Sequence, residues 1–156
     1  MPPEEFERKA KVRERAKRIT QKMKDNYLEG RLGLVIDGTG KEAGKILNQK
    51  AGLEELGYDT YMIFVNTSLD VALQRNADRA RSLQPSFVTT SWKEVQANIG
   101  AFNNMFRQGF IVVDNNDAGE DIFVEGWKRV QGLLRKKVTN TRAQNWISME
   151  LAKKRR

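Results

Sequence analysis

The stretch that most constrains this chain is the ten-residue run from Leu32 to Lys41, Leu-Gly-Leu-Val-Ile-Asp-Gly-Thr-Gly-Lys. Its first half consists mostly of branched apolar residues and predicts a buried strand over 32–37. The predicted strand ends on Asp37, and a glycine-rich turn and a helical pattern follow it. An apolar strand that ends in this way is typical of the carboxyl edge of a parallel α/β sheet, where ligands usually bind.

Asp37 and the turn after it form the first candidate site. The carboxylate of Asp37 would emerge into a loop, where it is suited to hold a hydrated Mg²⁺ or a ligand hydroxyl. Gly38 and Gly40 would let backbone N–H groups approach an anion. A purely structural turn explains the Asp-Gly pair equally well. The spacing is not that of a Walker A phosphate loop, and no Walker A match occurs in the sequence.

The composition limits the chemistry that this chain can perform. Its 156 residues include no Cys and no His, which excludes disulfides, zinc sites built on those residues and histidine-dependent acid–base catalysis. Any reaction would use Asp, Glu, Lys, Arg, Ser or Thr, or a metal held by oxygen ligands. No apolar run is long enough to span a membrane, and we expect the protein to work in the cytoplasm, that of the host if the gene belongs to a phage.

The net charge of +8 is concentrated at the two ends of the chain. Residues 1–31 carry ten Lys and Arg against six acids, and residues 127–156 carry ten against one. Residues 32–126, in contrast, carry eight against thirteen. Basic ends indicate contact with nucleic acid or another polyanion, although solvated helix faces explain the charge equally well.

Hydrophobic periodicity and turn signals predict alternating helices and strands after one long N-terminal helix over 4–28. This alternation implies βαβ crossovers and a parallel sheet. We expect three regions, a basic N-terminal helix (1–31), an α/β core (32–137) and a basic C-terminal helix and tail (138–156). The remaining predicted elements are helices over 41–56, 68–82, 92–106, 118–137 and from 141, and strands over 60–65 and 109–114.

A cluster of arginines follows the strand predicted over 60–65 and forms the second candidate site. Arg75, Arg79 and Arg81 fall in the next predicted helix, where Arg75 and Arg79 would share one face. Arginines beyond the carboxyl end of a strand suit phosphate oxygens, because their charge is fixed and they donate in pairs. A solvated helix face is the alternative interpretation.

Three blocks carry a resemblance to a known family: Leu-Val-Ile-Asp-Gly-Thr-Gly (34–40), Leu-Gly-Tyr-Asp-Thr-Tyr-Met-Ile-Phe-Val-Asn-Thr (56–67) and Ala-Leu-Gln-Arg-Asn-Ala-Asp-Arg-Ala-Arg (72–81). Over roughly residues 8–136 the chain resembles the C-terminal two-thirds of P-loop kinases, and most closely the zeta-toxin-like nucleotide kinases common in bacteriophages. The resemblance implies an α/β fold with a three-layer parallel sheet of the P-loop kinase type, incomplete, with three strands and about six helices.

The resemblance also implies a role for each candidate residue. Asp37 matches the acid at the end of the Walker-B-like strand, close to Mg²⁺ and the substrate. Gly38, Thr39 and Gly40 match the substrate-side turn. The arginine-bearing lid that closes over the phosphates matches Arg75, Arg79 and Arg81. The adenine-side loop matches Asn115 and Asn116, and these two asparagines are equally well explained as turn formers.

The chain departs from the family in the part that carries the chemistry. In the family, the Walker A strand, its loop and lysine, and an acidic candidate base precede the part matched here. We therefore expect little or no catalysis by this chain alone. The open strand edges would then have to be buried in one of three ways: by another chain that supplies a P-loop, by self-association, or by a different pairing of the strands.

Two functional hypotheses follow. In the first, the chain is the C-terminal part of a kinase-like phosphotransferase that acts on a nucleotide or another small phosphorylated substrate, with ATP and Mg²⁺ as cofactors. In the second, it is a non-catalytic kinase remnant that binds nucleic acid or an assembly through its basic termini.

Overall fold

Helices make up most of the structure, a computed structural model that describes residues 3–117 and 119–155. Together with a short 3₁₀ helix at Arg107–Gly109 they account for 67% of the described residues, and the described part holds one sheet of two strands. The helices are α1 (Pro3–Glu29), α2 (Ala43–Leu56), α3 (Leu69–Ala77), α4 (Pro85–Ala97), α5 (Ile99–Phe106), α6 (Glu120–Leu134) and α7 (Thr141–Lys154), and the strands are β1 (Met62–Asn66) and β2 (Phe110–Asp114).

The two strands pair in parallel, as the alternation of elements predicts. Met62 lies opposite Phe110 at one end and Asn66 opposite Asp114 at the other. Helices α3, α4 and α5 form the connection between the strands. Because the strands are parallel and in this register, their carboxyl ends share one edge of the sheet.

The predicted three-layer, three-stranded parallel sheet of the P-loop kinase type is wrong for this chain. Residues 32–39 have no regular secondary structure, and Val35 is 102% exposed and Ile36 48%. A strand is stable only where a neighbour pairs with its backbone and its apolar side chains are covered. The described sheet contains β1 and β2 alone, so the apolar pattern of 32–37 lacks the non-local partner that a strand needs.

One predicted helix ends earlier than expected and another is divided into two, because polar side chains form hydrogen bonds with the backbone. The helix predicted over 68–82 ends at Ala77, where the side-chain amide of Asn76 both donates to Leu83 O and accepts from Leu83 N, at 2.8 and 2.9 Å. The helix predicted over 92–106 is two helices that meet at Asn98. Pro85 begins α4, since proline is well tolerated in the first helical turn.

Several local signals are confirmed. Gly57 ends α2 with φ +108, a left-handed conformation that glycine adopts readily. A Cβ at this position would lie 3.3 Å from Ala143 N, so the end of α2 approaches α7 closely. Of the two residues that could cap the helix predicted over 68–82, Thr67 and Ser68, it is Ser68 whose hydroxyl accepts a hydrogen bond from Val71 N at the start of α3.

The buried apolar core of the described residues is small. It contains Phe64 of β1 and Phe102 of α5, whose ring centroids are 6.2 Å apart, and Phe110 lies 6.0 Å from Phe64. Many large apolar side chains stay exposed, among them Phe123, Trp127 and Leu134 of α6.

The chain forms two compact units, the first ending at Gly38 and the second beginning at Thr39. The first contains α1, and the second contains the sheet and the remaining helices. In the part of the chain that the structure describes, no helix combines the length and the apolar character needed to cross a membrane.

Candidate functional site

Helix α1 carries the densest positive charge of the molecule. Residues 8–24 contain nine Lys and Arg and one acid, Glu14. They belong to a continuous helix of 27 residues, and all nine basic residues are exposed except Lys24, which is half-buried. The charge is therefore displayed to solvent along about 25 Å of helix.

Little of this charge is neutralised within the helix. Lys9 pairs with Glu5 at 3.0 Å, whereas Lys11, Arg15, Arg18 and Lys22 form no ion pair with any described residue. Like charges three or four residues apart on a helix repel each other and cost a few tenths of a kcal/mol per pair. Helix α1 thus keeps a concentration of positive charge that weakens the helix itself.

The sequence-predicted metal residue Asp37 lies in the first unit, in the irregular stretch 32–39, and is exposed. Gly38 and Thr39 are also exposed and irregular. Among the described residues there is no group of three or more Asp or Glu side chains arranged to hold a metal ion.

Gly40 packs closely against apolar side chains. It has φ +75, and a Cβ there would lie 3.6 Å from Val95 Cγ1 and 3.7 Å from Phe102 Cε2. Its carbonyl oxygen accepts a hydrogen bond from Asn98 Nδ2 at 2.9 Å. The left-handed conformation and the close packing together explain why glycine occupies this position.

The structure brings two of the predicted phosphate and nucleotide residues together at the carboxyl ends of β1 and β2. Arg75 of α3 donates from Nη2 to the carbonyl oxygen of Asn116 at 3.2 Å. The side-chain oxygen of Asn116 accepts from Ser68 N at 2.6 Å. Asp114 in turn accepts from the backbone and side-chain nitrogens of Asn116, at 3.0 and 2.7 Å.

The second predicted asparagine, Asn115, joins the same edge through its backbone. Asn115 N donates to Asn66 O at 2.8 Å, and the side chain of Asn66 accepts from Gln96 Nε2 at 2.8 Å. These polar groups satisfy one another and hold α3 and α4 against the strand ends. An additional anion would also meet the acids Asp70 and Asp114 at this edge.

The other two predicted arginines do not share the face of Arg75. Helix α3 ends at Ala77, so Arg79 and Arg81 lie in the irregular segment that follows, and both are exposed. The prediction that Arg75 and Arg79 share one helical face is therefore wrong. The cause is the hydrogen bonding of Asn76 to Leu83, which turns the chain back after α3.

A groove that the sequence reasoning missed lies at the opposite, amino end of the strands. It has a volume of about 560 Å³, and its lining includes Glu54, Asp59 and Tyr61. Asp59 accepts hydrogen bonds from Thr139 N and Oγ1, both at 2.7 Å. Its residues come from four separate segments of the chain, so no local pattern signals it.

Two residues of this groove, Glu54 and Tyr61, have pKa values that are shifted from the ordinary ones. Burial alone would raise the pKa of Glu54, but hydrogen bonds from Lys50 at 2.6 Å and Thr60 at 2.7 Å outweigh it and lower that pKa. Burial, with a smaller effect of the charge of Asp59, raises the pKa of the Tyr61 hydroxyl.

No protein-family model, no curated protein and no solved structure matches this chain. The resemblance to P-loop kinases therefore stays a prediction.

Proposed function

We propose that this chain is a nucleic-acid-binding protein whose contact element is α1. The observation that carries the proposal is the density of charge, nine Lys and Arg against one acid over residues 8–24 of an exposed helix. Basic side chains that neutralise nucleic-acid phosphates release condensed counterions, and the gain in affinity grows with the number of phosphates contacted.

The distribution of the charge favours this function over a merely solvated helix. A surface that only keeps a protein soluble usually mixes positive and negative side chains, which also stabilises the helix. In α1 most of the acids stand near the two ends, at Glu4, Glu5, Glu7, Asp25 and Glu29, and nine of the ten charged residues over 8–24 are basic. A polyanion offsets the repulsion that this arrangement creates.

The first test removes three charges from α1. The variant Arg15→Gln/Arg18→Gln/Lys22→Gln lowers the net charge from +8 to +5. We expect its affinity for a labelled DNA duplex to fall by about tenfold or more at 0.1 M salt, and the slope of log affinity against log salt to lose about two to three units. Fluorescence anisotropy measures both quantities.

The matched control is Lys45→Gln/Lys93→Gln/Lys128→Gln, which removes the same charge from exposed positions of the second unit. We expect this variant to bind almost as tightly as the parent chain. Equal losses in the two triple variants would mean that net charge alone matters, and would overturn α1 as the contact element. Circular dichroism checks that both variants keep their helices.

A kinase-like phosphotransferase completed by a second polypeptide is the other candidate function. It is supported by Arg75, which lies where two parallel strands end and reaches the loop after β2. In this proposal another chain supplies the Walker A portion, ATP is the donor, and Asp37 helps to hold Mg²⁺. Either function would be exercised in the cytoplasm.

The variant Arg75→Ala/Arg79→Ala separates the two functions. In a complex reconstituted with a Walker A polypeptide, we expect it to abolish phosphoryl transfer, because the charge on the transferring group loses its arginine partners. Binding of nucleic acid should be nearly unchanged, and Lys93→Ala serves as the control in both assays. Intact transfer with lost nucleic-acid binding would contradict both assignments.

A further inference from the structure

We propose that α1 binds in the major groove of B-form duplex DNA, with one basic row on each wall of the groove. This inference rests on the proposed nucleic-acid function and names its ligand. It follows from the order of side chains around the helix, which repeats every 100° per residue.

The basic residues of α1 form two rows on opposite sides of the helix. With Arg18 at 0°, the first row is centred at about 40° and the second at about 225°. The first row follows 3–4–3–4 spacing and extends for about 21 Å. Its members are Arg8, Lys11, Arg15, Arg18 and Lys22, and those of the second row are Lys9, Arg13, Lys17 and Lys24.

An apolar seam separates the two rows on one side, at about 100–160°. It consists of Val12, Ala16, Ile19 and Met23, of which Val12, Ile19 and Met23 are 62%, 52% and 48% exposed. The side opposite the seam carries the acidic and neutral residues Glu7, Glu14, Gln21 and Asp25. The order around the helix is thus basic, apolar, basic and acidic.

This order matches a helix that lies in a major groove. The groove is about 12 Å wide, and a helix with its side chains measures about 10–12 Å across. Two rows on opposite sides meet the phosphates of both walls, and the acidic face points out to solvent. The seam then faces the base edges, where thymine presents a methyl group.

Other occupants fit the four faces less well. A single strand offers one phosphate backbone and would engage one row, and the major groove of an RNA duplex is too narrow to admit the helix. Two copies paired along the seam would bring basic rows together on both flanks. An amphipathic helix on a membrane surface needs a wider apolar face with aromatic anchors, whereas Phe6 lies at about 240°, in the second basic row.

The test compares three ligands of the same length for the full chain: an A·T-rich DNA duplex, the same duplex with deoxyuridine in place of thymidine, and an RNA duplex. We expect the salt slope for DNA to be about twice that for RNA, because two rows bind instead of one. Loss of the thymine methyl groups should weaken binding about fourfold for each methyl that the seam covers.

The variant Ile19→Ala/Met23→Ala should abolish the difference between thymidine and deoxyuridine and leave the salt slope unchanged. Alanine favours the helix, so loss of α1 would not explain the result. The control Phe6→Ala/Tyr27→Ala removes exposed apolar side chains outside the seam and should keep the difference.

The outcomes distinguish this inference from the proposed function. Salt-dependent binding that is equal for the DNA duplexes and the RNA duplex would overturn the major-groove inference and leave the nucleic-acid function standing. No binding to any of them at low salt would overturn both. Tighter binding of an acidic helical peptide than of the DNA duplex would also overturn the inference, since the seam would then serve a protein partner.

Discussion

At the scale of the residue, the chemical type of a side chain indicates a site only when its surroundings support the role. Asp37 has the carboxylate that a magnesium site needs, yet it lies exposed in an irregular segment. Glu54 attracts no attention in the sequence, but the fold places Lys50 and Thr60 within hydrogen-bonding distance of its Oε1. The chemical type of each candidate residue can therefore be read from the sequence. The side chains that surround it and form its hydrogen bonds cannot.

Glu54 should make the stability of the second unit depend on pH. Its hydrogen bonds hold the pKa below the ordinary value of 4.5, so the folded state binds fewer protons there than the unfolded state. The resulting contribution is fully present above the unfolded pKa and is lost as the pH falls through the lower, folded value. We expect the free energy of unfolding, measured with urea, to fall from about pH 4.5 downward.

The variant Glu54→Gln isolates this effect, because it cannot titrate at that position. Below about pH 4.5 its free energy of unfolding should fall less steeply than that of the parent chain. Glu55→Gln changes the neighbouring exposed carboxyl and should behave like the parent. Identical pH dependence in the parent and Glu54→Gln would contradict the assignment.

At the scale of the element, local signals predicted most of the helices and both strands. Acids in the first turn and a glycine after the last indicate α1, and Gly57 and Ser68 mark the ends of α2 and the start of α3. The segment 32–37 has an equally clear apolar pattern but needs a strand beside it, which is a non-local condition. The same limit applies to α3, where the hydrogen bonds between Asn76 and Leu83 displace Arg79 from the predicted helix.

The candidate sites also differ in how far the sequence alone predicts them. The basic character of α1 and the order of its faces can be read from the sequence, because a single long helix converts spacing directly into geometry. The polar edge at Arg75 and Asn116 depends on β1 and β2 lying side by side. The sequence pattern predicted that those residues follow the carboxyl ends of the strands, but it did not show that their hydrogen bonds hold the fold together.

At the scale of the whole molecule, strong charge is combined with a small core. The described residues bury the apolar side chains of Phe64 and Phe102, and leave apolar residues of α1 and α6 exposed. A chain of this kind gains stability from any ligand that binds the folded state alone, in proportion to the logarithm of its concentration. A polyanion would also relieve the repulsion along α1, and this charge is what supports the proposed binding of nucleic acid.

The measurement that tests this account most directly is the affinity of the full chain for a DNA duplex at several salt concentrations. If one basic row contacts phosphates, the slope of log affinity against log salt should be about −3.6 or steeper, and if both rows do, about −8. A slope between zero and about −1, or no binding at about 0.05 M salt, would contradict the account, because the charge of α1 would then have no polyanion to neutralise.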